Sequence, residues 1–258
     1  MSIDSISSYN PAVSSIQQSL TSGNRINSSA DDAAGQAVVT ALTTQIDQQS
    51  VATRNANDGI SLLQTADGIG GNIVDQLQRL NELAVQAQNG TYNATQRGTL
   101  NAEFQQGLKS IDQFVSQAKF NGVNLLDGSQ PTLNISFGDS SNTLNLPNLT
   151  TNGLALNGLD ITSSANAGNA VSSIATALET LGTRRSQLGA QQNGLASAVE
   201  NFANQNVNAQ QSRSQINDTN YAKAITELAK QNVLTQSSIA MQSQSNQNKA
   251  YVTQLLQS

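Results

Sequence analysis

The chain has no cysteine, no histidine and no tryptophan, it has only three prolines, and aromatic residues fill 3% of its 258 positions. Without Cys or His there can be no thiolate nucleophile, no Ser-His-Asp triad, no H-E-x-x-H zinc site and no structural Cys/His zinc site. The absence of cysteine also frees the chain from any particular redox compartment. A carboxylate-pair or lysine enzyme stays formally open, but no cluster of residues singles one out, so neither catalysis nor a cofactor or metal is expected. Scarce aromatics make a compact core hard to build. With 12 basic against 17 acidic residues the net charge is −5, whereas a protein that tracks phosphates needs clustered Lys or Arg, so nucleic acid is not an expected partner. The opening residues MSIDSISSYNPAV lack both the basic segment and the apolar run of a signal peptide, and no stretch approaches the ~20 apolar residues of a membrane span. Membrane insertion is therefore not expected, and export would use a route that reads no ordinary cleaved signal.

What is present is small and aliphatic. Hydrophobic residues make up 37% of the chain and charged residues only 11%, which fits long helices packed through small side chains. The clearest pattern is in the last third, where Ile174, Leu181, Leu188, Leu195, Phe202, Ala209 and Ile216 recur at every seventh position, with Val171, Leu178 and Val199 at the alternate heptad position. Such a seam predicts coiled-coil packing, and one helix over roughly 168–208 needs an equally long partner. Its second seam is interrupted by Arg185, Gln192, Asn206 and Arg213, residues of the kind that fix register. The Arg184-Arg185 pair reads either as an intersubunit charge or as a solvated pair.

The partner lies in the first half. "SSADDAAGQAVV" predicts a helix start with Ser28 or Ser29 as N-cap and Asp31 and Asp32 in the first turn. Val38, Leu42, Ile46, Ala52, Ala56, Ile60 and Leu63 then follow at mostly helical spacing until "DGIGG" at 67–71. That run lacks the flanking strand and Lys-Ser/Thr of a phosphate loop and predicts a helix break. A further helix carries Ile73, Leu77, Leu80, Ala84 and Ala87 on one stripe and ends at Asn89-Gly90. Its other face carries Arg79, Glu82, Leu83 and Gln86, either a solvated surface with an i, i+3 charge pair or a contact surface. A third stripe, Leu100, Phe104, Leu108, Ile111, Val115 and Ala118, runs to Asn121-Gly122. Between about 121 and 162, Leu133, Ile135 and Phe137 and the pairs Leu144/Leu146 and Leu154/Leu156 have period two, predicting short strands or hairpins, with an extended polar loop as the alternative.

Both ends are weakly apolar. Ile3, Ile6, Val13, Ile16 and Leu20 are spread among serines, while residues 219–258 carry Tyr221, Ile225 and Leu228 on one stripe and Ala222, Ala229, Val233 and Ala240 beside it. Such helices bury too little apolar area to stand alone, so both ends are expected to be largely disordered in a monomer and to order on assembly. The fold class expected is mainly α: an elongated antiparallel helical bundle or coiled coil built from the N- and C-terminal segments, with a small central β-hairpin region.

Six blocks, "RINSSADDAAGQAVV", "RNANDGISLLQTADG", "LQRLNELAVQAQNGT", "FNGVNLLDG", "LGAQQN" and "RSQINDTNYAKA", resemble the conserved segments of bacterial flagellin, in the same order. The resemblance covers roughly 20–127 and 170–258. It implies a structural subunit that is exported through the flagellar type III apparatus and polymerises into the extracellular flagellar filament for motility, without catalytic activity. Segments 1–30 and 214–258 would be terminal inner-tube helices, 31–120 and 168–213 the rod, and 121–167 a small β-hairpin or loop region. Ile6, Val13, Ile16, Leu20, Tyr221, Ile225, Leu228, Val233 and Ile239 would pack the inner tube, and Ile174, Leu181, Leu188, Leu195 and Phe202 the rod's seam. In that family the segment around Arg79, Glu82, Leu83, Gln86 and, on the next helix, Glu103 packs between protofilaments and is recognised on released monomers by a Toll-like receptor. Further partners implied are other copies of the chain, an export chaperone, and cap and hook-associated proteins.

Three departures stand out. Only 24 residues precede Arg25, so the N-terminal inner helix is expected to be short and its pairing with 219–258 incomplete. Asn24 stands where an apolar residue is usual, and Asn81 where a basic one is. The middle section is also small, so the filament's exterior should be thin and smooth. Two alternatives remain: a hook–filament junction protein of the same architecture, which would not be expected to keep the "LQRLNELAVQ" and "RNANDGIS" blocks together, and a secreted coiled-coil adhesin or effector, which has no reason to carry matched segments at both ends.

Overall fold

A computed structural model describes residues 11–255. Among these residues the order is α1 (Pro11–Ser22), α2 (Ala33–Gln88), α3 (Ala94–Gln117), β1 (Lys119–Phe120), β2 (Val123–Asn124), β3 (Thr132–Ser136), β4 (Ser141–Asn145), α4 (Ser164–Asn217) and α5 (Tyr221–Leu255). The chain divides into two compact units: the described parts of Met1–Ile46 and Val207–Ser258 form one, and Asp47–Asn206 forms the other.

Most helix starts are set by short polar side chains. Asn93 and Gln96 form a reciprocal capping box at α3, Ser163 Oγ accepts from Asn166 N at α4, and Asn220 Oδ1 accepts from Lys223 N at α5, each satisfying a donor the helix cannot. For α2 the cap is neither Ser28 nor Ser29. Asp32 Oδ1 accepts from Gly35 N at 2.8 Å, while the preceding carboxylate, Asp31, turns back to accept from the backbone N–H groups of Asn27 and Ser28 and from Ser28 Oγ. The far end of α2 is closed by Arg97, whose guanidinium donates to the carbonyls of Ala87 and Asn89.

Within the Asp47–Asn206 unit, α2 and α4 run antiparallel. Asn206 donates to Ser50, Gly59 lies against Leu195 and Gly70 against Arg185, and Ser164 donates to the Gln88 carbonyl, so one sequence number falls as its partner's rises. The predicted break at 67–71 does not occur: α2 passes through it unbroken. Ala66 and Ile73, on either side, are fully buried on one stripe, and their burial outweighs the roughly 1 kcal/mol that each helical glycine costs. Gly70 gives the Arg185 side chain room to lie close, since a Cβ there would meet it at 3.3 Å. Arg185 in turn forms a two-point ion pair with Asp67 within the chain (2.7 and 3.0 Å), which fixes the register of α4 on α2, while its neighbour Arg184 is exposed.

The seam of α4 is largely as the heptads predict. Ile174, Leu181, Leu188 and Leu195 are buried, and Phe202 is half-buried with its ring edge-on to Phe137 at 5.1 Å. On α2 the inward valine is Val39, while Val38 is exposed. Helix α3 returns along α2 with Phe104, Leu108, Ile111 and Val115 inward. Gly107 faces Leu80, and a Cβ there would clash at 2.6 Å.

The central segment closes this core. β1 and β2 pair antiparallel through the two-residue turn Asn121-Gly122, and β3 pairs with β4 with Leu133 opposite Leu144. Both turn residues have positive φ (48° and 81°), as a type I′ hairpin requires. The pair Leu154/Leu156 belongs to no strand; it lies in tight turns closed by bonds to Thr150 and Thr151, yet both leucines are buried in the same core as Leu125, Leu126, Leu146 and Leu149. Period two identified burial there but not the backbone. Asp112 holds the turn from α3 by accepting from Thr151 N and Oγ1.

The other unit holds the ends. α1 and α5 pack together; within the segments expected to be disordered, Pro11–Ser22 and Tyr221–Leu255 are helical, while residues 1–10 and 256–258 lie outside the described residues. A polar knot joins the two ends of the sequence: Arg25 N donates to the Asn217 carbonyl, Thr219 N to the Gly23 carbonyl, Asn217 Nδ2 to Asn24 Oδ1, and the Arg25 guanidinium to the Ile216 carbonyl. Asn24, unusual in the sequence, is thus used for its amide. Among the described residues, Ile26, Val39, Ile46 and Ala209 are the buried apolar residues of this unit.

Three loop carboxyls sit below the usual range: Asp31 through the Asn27 and Ser28 amides, Asp127 through Ser129, and Asp160 through Thr162 and Asn166. The folded chain therefore binds fewer protons than the unfolded one. This stabilisation is complete above the unfolded carboxylate pKa of about 3.9 and is lost as pH falls through the lower folded values. Urea midpoints should hold from neutral pH to about pH 5 and fall below about pH 4, with a smaller fall in Asp160→Asn.

Candidate assembly surfaces

The surface around Arg79 is made by α2 and α3 together. Leu77, Leu80, Ala84 and Ala87 face the core, and Arg79, Glu82 and Gln86 face outward. Arg79 donates to Glu82 on its own helix at 3.1 Å and to Glu103 on α3 at 2.8 Å. All three side chains are at least half exposed, with the guanidinium held further toward its charged form by Glu103 first and Glu82 second. Gln86 donates to the Tyr92 hydroxyl at 2.8 Å, and Asn81 is half-buried beside this surface.

Leu83 does not belong to this surface. It is 2% exposed and part of the main core. The apolar stripe of a core-facing helix is wider than a single line of steps of three and four, so position 83, three after Leu80 and four before Ala87, still falls inside it.

At the chain ends, Val13, Ile16, Leu20 and Leu228 are half-buried, whereas Tyr221, Ile225, Val233 and Ile239 are exposed, Val233 by 61%. Ile6 lies outside the described residues. Along α5, Leu234, Met241, Tyr251 and Val252 are exposed as well, so apolar side chains are left uncovered on more than one side of this helix. Sequence reasoning missed the polar knot at 23–25 and 216–219 and the Asp67–Arg185 pair, because neither follows an apolar period. Among the described residues no helix is long and apolar enough to cross a membrane, and no three carboxylates converge as metal ligands.

The relatives agree with this architecture. The chain matches the bacterial flagellin N-terminal helical region over residues 3–131 and the bacterial flagellin C-terminal helical region over 171–256. It is 39% identical to a flagellin of Halalkalibacterium halodurans over 206 residues, 78% of this chain and 76% of that one. It is 40% identical to the phase 1 flagellin of Salmonella naestved over 152 residues, which span 58% of this chain but only 30% of that longer protein. Among solved structures, the crystal structure of Bacillus cereus flagellin superposes with a TM-score of 0.53 at 31% identity, covering 58% of this chain and 88% of that one. With both helical regions matched over most of its length, the chain belongs to the bacterial flagellins, the structural subunits of the extracellular flagellar filament.

Proposed function

We propose that the chain polymerises by burying the exposed apolar side chains of α5, with the 1–30 segment, in an inner tube of like segments, while the Arg79, Glu82, Gln86 and Glu103 surface meets a neighbouring rod. The observation that carries this reading is that Ile225, Val233, Leu234, Ile239 and Val252 are all exposed, on several sides of one long helix that its own chain leaves largely uncovered. A contact made between unlike faces of identical copies does not close on itself and propagates as a helical filament. The chain acts without catalysis, as a building element. Its further partners are an export chaperone and the cap and hook-associated proteins that handle a subunit before and during assembly. In a host, a Toll-like receptor reads the Arg79 surface on released monomers. The domain plan that goes with this reading is 1–30 and 214–258 inside, 31–120 and 168–213 as rod, and 121–167 as the small outer region.

The Arg79 surface is tested by charge reversal. Arg79→Glu removes two exposed ion pairs and places three acidic side chains together, which should leave the monomer's melting temperature nearly unchanged while raising the critical concentration for polymerisation on the order of tenfold. Sedimentation of polymer against monomer reads the outcome. An unchanged critical concentration would remove this surface from the assembly contacts.

A further inference from the structure

The chain contains Asn-Gly at 89–90, 121–122, 152–153, 157–158 and 193–194. In this pair the glycine nitrogen can attack the asparagine side-chain carbonyl carbon, since no Cβ obstructs the approach. The new C–N bond closes a succinimide and ammonia leaves. Water then opens the ring at one carbonyl or the other, giving aspartate or isoaspartate, with no reactant other than water. The attack requires a glycine N–H free to lose its proton and an asparagine free to rotate.

All five asparagines are exposed, so exposure does not distinguish them, but backbone and hydrogen bonding do. Asn193-Gly194 lies inside α4, where the glycine N–H is committed to the helix ladder. Gly153 N donates to Thr150 Oγ1 at 3.0 Å, and the glycine is packed against Asn148. Asn89 is held through Oδ1 by Thr91 N and Oγ1 and through its carbonyl by Arg97. The other two steps form open turns. Asn121-Gly122 is the two-residue link of the first hairpin, and Asn157-Gly158 sits between Leu156 and Leu159, whose closing bond is long at 3.4 Å. Both glycines have positive φ with open space beyond Cα.

We propose that Asn121 and Asn157 are the chain's sites of spontaneous succinimide formation and deamidation, and that the other three Asn-Gly steps are protected by the fold. At Asn121 the change reaches further than its charge. Isoaspartate lengthens the main chain of a two-residue turn, so the Phe120–Val123 pairing cannot keep its register. The new carboxylate also joins Asp58 on a groove of about 190 Å³ whose lining includes Leu62, Phe120, Val123, Leu133 and Ile135.

The test incubates the purified full-length chain at mildly alkaline pH, with and without denaturing urea, and follows all five peptides by mass spectrometry with isoaspartate detection. In the folded chain Asn121 and Asn157 should convert roughly tenfold faster or more than Asn89, Asn152 and Asn193, and the difference should close in urea once local opening no longer limits the protected sites. Asn121→Gln and Asn157→Gln together should abolish the early acidic species on isoelectric focusing. Equal rates in the folded chain, a difference that persists in urea, or conversion to aspartate without isoaspartate would each overturn the proposal.

Discussion

Leu83→Asp will unfold the core of the Asp47–Asn206 unit rather than act as a surface mutation. Leu83 packs in one cluster with Leu80, Ala84, Ala87 and Phe104 and is 2% exposed. Truncating such a leucine costs about 2–5 kcal/mol, and a carboxylate adds the cost of burying an unpaired charge, against a total stability of about 5–15 kcal/mol for a typical domain. Circular dichroism should show a strongly lowered melting temperature or no cooperative transition, while Leu83→Met stays near the parent. A Leu83→Asp chain that melts normally yet fails to polymerise would return Leu83 to the assembly surface beside Arg79.

Ending the chain at Asn220 will abolish polymerisation and leave the Asp47–Asn206 core folded. The deletion removes the 35-residue α5, whose side chains are nearly all exposed and so contribute little to the stability of the free chain. The same apolar residues are what a neighbouring copy would cover. Thermal melting of the remaining core should shift by no more than a few degrees, with the loss of helical signal matching the deleted residues. A core that unfolds on this deletion would mean that α5 serves the monomer first.

Much of this was legible in the sequence because long helices advertise themselves. The seven-residue repeat from Ile174 to Leu195 and the stripe from Phe104 to Val115 found their burial directly, since one period links spacing to face. The errors have a common physical source, in that a local signal met a tertiary context it could not see. The glycines at 68, 70 and 71 weaken a helix in isolation, yet Arg185 from α4 packs closely over Gly70 and pairs with Asp67. Steps of three and four mark only the middle of the buried stripe, whereas the core accepts a wider one that includes Leu83. Leu154 and Leu156 alternate like a strand, but their backbone bonds turn back on Thr150 and Thr151. Within the candidate surfaces, the outward direction of Arg79, Glu82 and Gln86 could be read from helical spacing, whereas Glu103 came only from the family resemblance. Their ion-pair geometry could not, because Glu103 comes from another helix.

On the proposed reading, the apolar side chains left exposed on α5 are covered by other copies of the chain. The most direct measurement is polymerisation of the purified chain, seeded with filament fragments or driven by a strongly salting-out anion, viewed by negative-stain electron microscopy alongside hydrogen exchange on monomer and polymer. The account requires helical filaments and α5 amides that exchange rapidly in the monomer and become protected in the polymer. A chain that stays monomeric under every such condition, with α5 already protected, would contradict it.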